Sequence, residues 1–220
     1  MSRSRPATNP AKTIPTRSRL LESARDLFWE KGYAATGMAE LLSRAQANSG
    51  SFYHFFDSKE ALLLAVLDGY LEGLDSAVIR PALARHRDPI ERVFAILGGY
   101  RDRLLSTECT YGCPIGRLAL EVDPEVLPAH QRIAANFRSW TGAIRKCLEQ
   151  ARDRFPAHFD LDALAVFVLS TMEGGVMQSR SCRNIKPFDQ SVAQLRQYFV
   201  LITGRTTKNK IEPIRKGAGN

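Results

Sequence analysis

No uninterrupted apolar run in this 220-residue chain exceeds seven residues. The two longest, Ala61–Leu67 and Ala163–Leu169, fall far short of the roughly 20 residues a bilayer-spanning helix needs. The first nineteen residues hold arginines but no apolar core, so they do not read as a secretory signal. A cytoplasmic protein with no membrane partner is expected. Strand-like alternation, hairpin turns and internal repeats are missing, which leaves an all-α chain. Histidine is sparse and scattered, at His54, His86, His130 and His158. There is no G-x-S-x-G, no H-E-x-x-H, no phosphate-binding glycine loop and no carboxylate–histidine cluster, so neither an enzyme nor a cofactor is expected. Cysteine is scarce too: Cys109, Cys113, Cys147 and Cys182. A lone C-x₃-C without a second pair or a nearby histidine does not have zinc spacing, and no metal is expected.

Charge is present but unevenly placed. Residues 1–19 carry Arg3, Arg5, Lys12, Arg17 and Arg19 and no acid, for +5 of the net +8. Residues 205–220 carry Arg205, Lys208, Lys210, Arg215 and Lys216 against Glu212, for +4, which leaves the middle at −1. A nearly neutral body argues against a non-specific nucleic-acid binder, which spreads basic charge over a face. The N-terminal arm could follow phosphates or reach into a minor groove, whereas the C-terminal tail reads as solvated.

The chain divides into four segments. Residues 1–15, with three prolines and little that is apolar, read as a disordered basic arm. Residues 16–62 read as a three-helix unit, 63–204 as a larger helical domain, and 205–220 as the basic tail. The first helix runs from about Arg17 to Lys31, with Leu20, Leu21, Ala24, Leu27 and Phe28 as its stripe and Gly32 as its stop. Pro81 and the stretch from Arg85 to Asp88 break the helical run beyond the fourth helix. Asp88-Pro89 and Asp123-Pro124 each read as an N-cap with proline in the first turn. The first opens a helix in which Gly98-Gly99 marks a bend or close contact, and the second a helix to about Arg154. Asp160 or Asp162 opens another, rich in small residues at Gly174-Gly175, and Asp189–Thr203 is the last.

The stretch from Thr36 to Glu60 carries the most information. Thr36 reads as an N-cap, and Met38, Leu41, Leu42 and Ala45 make one apolar helix face. Asn48 can cap the next helix through an amide at Gly50 or Ser51. Phe52 and one of Phe55 and Phe56 then pack inward while Tyr53 and His54 face out. Ser58 caps a third helix buried through Leu62, Leu63, Val66 and Leu67. This is the layout of a helix-turn-helix, whose second helix enters the major groove; three helices of an ordinary bundle are the alternative.

Residues 16–67 resemble the TetR family of bacterial transcriptional regulators. Ala24, Leu27, Phe28, Lys31, Gly32, Tyr33, Thr36, Ala45, Gly50, Tyr53, Phe56, Ser58, Lys59 and Leu62 carry the match, at ungapped spacing. Gln46 departs from it, standing where the family has glycine, and Ser49 stands where lysine is frequent. The resemblance implies a regulator, acting as a repressor released from a palindromic operator by a small-molecule effector. It also implies a homodimer through the last two helices. Carried over by position, Thr36, Tyr53 and Lys59 would touch phosphates, and Asn48, Ser49, Ser51 and His54 would face bases; Arg17 belongs to the same surface. Asn48 could pair with adenine in a bidentate way.

For the effector, Tyr100, Leu104, Tyr111, Cys113, Phe137, Trp140, Met172 and Met177, together with Phe94 and Phe167, could line a pocket. Arg101, Arg138, Glu173 and Gln178 could orient a polar group, although aromatics on a helical stripe also read as plain core. Cys113 precedes Pro114 and so reads as an N-cap, where a helix dipole lowers a thiol pKa. The block Gly112-Cys113-Pro114-Ile115-Gly116 also resembles a segment of a TetR subgroup with electrophile-responsive members. The alternative function is therefore a thiol-based sensor of oxidants or electrophiles; a small apolar residue at a packed corner is the plainer reading.

Overall fold

The computed structural model describes residues 14–204, and among them there is no strand. The basic tail and most of the N-terminal arm lie outside the described residues.

Helix α1 (Thr16–Glu30) buries Leu20, Ala24, Leu27 and Phe28. It stops at Gly32, whose φ of +95° suits a residue without a Cβ. Helices α2 (Met38–Arg44) and α3 (Ser49–Phe55) pack beneath it through Leu41 and Phe52. Asn48 caps α3 by accepting from the Ser51 amide at 2.8 Å, and Ser58 caps α4 (Lys59–Leu74) by accepting from Ala61. Of the two candidate phenylalanines, Phe56 is the inward one and Phe55 is exposed. Thr36 departs from its expected capping role. The cap of α2 is Gly37, and Thr36 is buried with its hydroxyl donating to the Gly32 carbonyl at 2.7 Å.

Helix α4 runs unbroken across the expected boundary at 62/63, so one rod belongs to both parts of the molecule. Pro81 does not break the helical path beyond it. A π-turn at Asp75–Ile79 carries the chain into α5 (Arg80–Arg85), with the Arg80 amide donating to Asp75. The wider turn fits a proline, which lacks the N–H and crowds the carbonyl four residues back. The break comes only at His86.

Asp88 caps α6 (Pro89–Ser106) through the Ile90 and Glu91 amides. Gly98 and Gly99 lie inside this continuous helix, and a Cβ at either would meet nothing within 4 Å, so neither marks a close contact. Helix α7 (Pro114–Glu121) comes next. Asp123-Pro124 does not open the helix after it. Asp123 accepts from Glu125 in a turn, and α8 (Leu127–Glu149) starts later with Pro128 in its first turn. That helix ends at Glu149, five residues short of Arg154, and gives way to a 3₁₀ turn at Arg152–Arg154. Asp160 caps α9 (Leu161–Cys182). Helix α10 (Lys186–Ile202) begins three residues before the expected Asp189.

Helix α8 is the hub: it packs on α4, α6, α7 and α9. Gly175 of α9 lies so close to α10 that an added Cβ would sit 3.1 Å from the Phe188 Cα. The small-residue stretch thus joins α9 to α10 inside one chain, locked by Ser179 Oγ accepting from the buried Phe188 amide at 3.0 Å.

Candidate DNA-reading surface and effector cavity

Helix α3 turns one side outward. Ser49, Tyr53 and His54 are exposed and Ser51 half-buried, with Tyr53 at 61% exposure. Phe52 anchors the other side and meets the Tyr53 ring edge-on at 5.2 Å. Gln46, in the turn before α3, takes φ +49°, the left-handed conformation that glycine adopts more easily. A residue the sequence did not single out holds this turn. Arg19 of α1 donates to the Ala45 carbonyl at 2.9 Å and the Gln46 carbonyl at 3.3 Å. Only a contact map could have revealed it, because nothing local sets Arg19 apart from Arg17. Arg17 is exposed, its guanidinium 5.4 Å from the centre of the Phe56 ring.

Three expected DNA contacts are otherwise engaged. Thr36 is buried, as above. Asn48 is exposed but spends its side-chain oxygen as the cap of α3, which leaves only its amide N–H groups for a base. Lys59 donates to the Tyr33 carbonyl at 2.6 Å and lies 4.4 Å from the centre of the Tyr33 ring, and burial lowers its pKa. Tyr53, Ser49, His54 and Arg17 remain as free outward groups.

A cavity of about 680 Å³ opens between α1, α4, α6, α7 and α8. Tyr100, Cys113 and Trp140 of the expected pocket residues reach its wall. Leu104 and Met172 are buried away from it; Tyr111 packs on Trp29 at 5.0 Å, and Phe137 is half-buried outside the wall. Phe94 meets Phe199 edge-on at 5.4 Å within the core. Met177 and Phe167 are exposed on α9. The polar candidates also lie elsewhere. Arg101 is locked to Asp189 by two bonds of 2.6 and 2.9 Å, Arg138 and Gln178 are exposed, and Glu173 sits behind the wall. The wall takes in Ser18, Arg25 and Trp29 of α1, a contribution the sequence reading did not foresee. It belongs to a helix of the DNA-binding unit.

Cys113 does cap α7, its Sγ accepting from the Gly116 amide at 3.3 Å. The expected lowering of its pKa does not occur. Burial, with the Glu173 carboxylate as a second cause, pushes the thiol up to about 12. Desolvation and a neighbouring anion outweigh a short helix's dipole, so the group is a neutral thiol at physiological pH. Glu173 itself is raised by burial and forms no ion pair among the described residues. Its carboxylate lies over Gly116, 2.8 Å from where a Cβ would stand, so a side chain there would have to push it away from the N-terminal turn of α7.

The other end of α7 holds α1. Arg117 donates to the carbonyls of Trp29, Glu30 and Lys31, the last three carbonyls at the end of α1. Glu121 fixes that guanidinium at 2.5 Å and accepts from the Tyr33 amide at 2.8 Å. Its carboxylate fills the space a Cβ on Gly32 would need. Trp29 Nε1 donates to the Gly112 carbonyl at 2.7 Å. Helix α7 therefore touches the cavity, α9 and the root of the DNA-binding unit at once.

The N-terminal part, residues 20–66, matches the family profile described as bacterial regulatory proteins, tetR family. Residues 89–195 match the profile of the tetracyclin repressor-like C-terminal domain. An uncharacterised HTH-type transcriptional regulator of Mycobacterium tuberculosis (strain ATCC 25618 / H37Rv) is 31% identical over 84% of this chain and 94% of its own length. The chain belongs to the TetR family. It is a DNA-binding transcriptional regulator and not an enzyme. The HTH-type transcriptional repressor DhaR of Mycobacterium sp. (strain GP1) is 27% identical over 80% of this chain and 88% of the relative. Among solved structures, the reduced form of Escherichia coli NemR superposes with a TM-score of 0.73 at 22% identity, covering 83% of this chain and 96% of that one. That likeness speaks for the fold.

This TetR-family chain leaves an apolar face on its last two helices. Val166, Phe167 and Met177 of α9 and Tyr198 and Leu201 of α10 are all exposed, Leu201 at 78%. Phe167 and Tyr198 meet edge-on at 5.6 Å. No described helix is long and apolar enough to cross a membrane.

Proposed function

We propose that the protein is a cytoplasmic homodimeric repressor, released from a palindromic operator by a small molecule bound in the 680 Å³ cavity. The observation that carries this reading is the shared wall. One cavity is bounded by α1 of the DNA-binding unit and by α4, α6, α7 and α8 of the larger part. A ligand wedged there favours whichever spacing of α1 and α7 leaves it room, and Arg117 and Glu121 transmit that spacing to the end of α1. Differential affinity for the two spacings is all that a population shift requires.

The exposed apolar side chains of α9 and α10 support pairing with a second copy through those helices. A two-fold dimer places two α3 helices in major grooves one helical turn apart, hence a palindrome. The DNA contacts fall to Tyr53, Ser49, His54 and Arg17, joined by Ser51, the Asn48 amide, and Lys59 once it leaves Tyr33. No arginine or lysine lies on α3, so direct guanine readout is thin and much of the affinity is salt-dependent. The alternative of thiol-based sensing at Cys113 is disfavoured by its burial and raised pKa. Selection of bound sequences from a random DNA pool tests the proposal: an inverted repeat should emerge, and a pool without enrichment sinks it.

A further inference from the structure

The chemistry of the cavity wall narrows what it accepts. Along α4, Ala65, Gly69 and Gly73 recur every fourth residue, so they share one face, and all three line the cavity, joined by Ala77 of the π-turn. At Gly69 and Gly73, and at Gly99 of α6, an added Cβ would meet nothing within 4 Å. These positions bare the backbone to open space, giving a broad surface without side-chain knobs. Rings border it: Trp29, Tyr70, Tyr100 and Trp140, the last two edge-on at 5.9 Å.

Two polar atoms in this wall have no oxygen or nitrogen partner among the described hydrogen bonds. Tyr100 is 5% exposed, and its buried hydroxyl finds no oxygen or nitrogen partner among the described residues, only the Cys113 sulfur, a weak acceptor. Asn136 is 1% exposed and uses its amide nitrogen on the Leu67 and Arg132 carbonyls, both at 3.0 Å. That fixes the amide's orientation and leaves Oδ1 as a free acceptor. Buried polar groups are nearly always well bonded, so a hydroxyl held only by a sulfur in a cavity wall points to a ligand oxygen that improves on it.

Charge is confined to the rim. Arg25 and Asp26 face each other at 3.5 Å with both side chains about half exposed. Arg103 lies over the Trp29 ring at 4.7 Å, and Glu22 is exposed. The wall around Tyr100, Asn136, Trp140 and Cys113 is formed by uncharged side chains. Behind Cys113 stands the Glu173 carboxylate, which accepts from that thiol and has no counter-ion among the described residues; it repels an anion, while the thiol keeps it out of a cation's reach. An ion seated there would lose its hydration, while the nearest counter-charges, Arg103 and Arg25 for an anion and Asp26 and Glu22 for a cation, stay partly solvated at the rim.

We infer that the effector is a neutral, flat aromatic compound bearing a hydroxyl or carbonyl oxygen that accepts from Tyr100, with a hydroxyl also able to donate to Asn136 Oδ1. Its size is about two or three rings, in keeping with cavities of this volume. The inference rests on the reading of this cavity as the effector site.

Three probes of one shape and different charge test it by calorimetry on the full-length protein: 2-naphthol, 2-naphthoate and 2-naphthylmethylammonium. 2-Naphthol should bind at least about tenfold more tightly than either ion. Tyr100→Phe should weaken 2-naphthol about fivefold while leaving the melting temperature nearly unchanged, because the hydroxyl it removes has only the weak Cys113 sulfur as partner. Gly73→Leu, placed where space is open, should fill the cavity and abolish binding. Equal or tighter binding of an ion overturns the inference. So does undiminished 2-naphthol affinity in Tyr100→Phe or Gly73→Leu, or no binding of 2-naphthol. Sequence-specific DNA binding measured on the same samples separates the two claims. If it persists while the probes fail, the regulator stands and the ligand class falls; if 2-naphthol binds a protein that selects no DNA site, the reverse holds.

Discussion

Glu121 holds Arg117 with one carboxylate oxygen, at 2.5 Å, and the Tyr33 amide with the other, at 2.8 Å. Through this pair α7 grips the end of α1. The carbonyls of a helix C-terminus have no partners within the helix, and Arg117 supplies donors to three of them. Arg117→Met should therefore lower stability by about 1–3 kcal/mol. Urea denaturation measures it, and a loss below a few tenths of a kcal/mol would show that the grip is incidental.

Glu173 makes stability depend on pH. Burial raises its folded pKa, whereas in the unfolded chain it releases its proton near the ordinary carboxylate value. Between those two values the folded state binds more protons, so stability falls as pH rises through that window. Glu173→Gln cannot ionise and escapes this loss. Thermal melts should place the variant further above the wild type at pH 8 than at pH 5; a gap independent of pH would remove Glu173 as the cause.

The cysteines separate by burial. Cys113 is pushed up to about 12, and Cys109 and Cys147 are also raised by burial, while Cys182 is exposed. Because the thiolate is the nucleophile, iodoacetamide at neutral pH should label Cys182 first and Cys113 no faster than free cysteine. Peptide mass spectrometry resolves the order. Preferential labelling of Cys113 would revive the sensor reading.

Leu201→Asp places a charge on a side chain that is 78% exposed in the single chain. If the α9–α10 face joins two copies, the variant should sediment at half the mass of the wild type with its helical signal intact. A variant that stays dimeric moves the interface elsewhere.

Local signals made much of this fold legible. Helical periodicity and the caps at Asn48, Ser58, Asp88 and Asp160 located most of the helices, and Gln46, standing where the family has glycine, takes a left-handed backbone. The misreadings share one cause: a side chain or turn with more than one way to satisfy its groups. Thr36 turned inward to the Gly32 carbonyl instead of capping α2. Pro81 was absorbed by a π-turn, and Asp123 stabilised a turn instead of a helix start. The cavity was least legible. Trp29 and Arg25 of α1 and the α4 glycines meet Tyr100 and Asn136 only through long-range packing, which no local pattern records. The direction of the Cys113 shift likewise comes from burial and then from Glu173, sixty residues away in sequence, neither of which a local pattern records.

The most direct test is footprinting on the DNA flanking the protein's own gene at about 150 mM salt, a concentration at which non-specific phosphate binding is weak. Wild-type protein should protect a short inverted repeat, and Tyr53→Ala, altered at an exposed position, should fold normally and lose that protection. A folded Tyr53→Ala variant that protects the same site as the wild type would contradict the assignment of α3 as the DNA-reading helix.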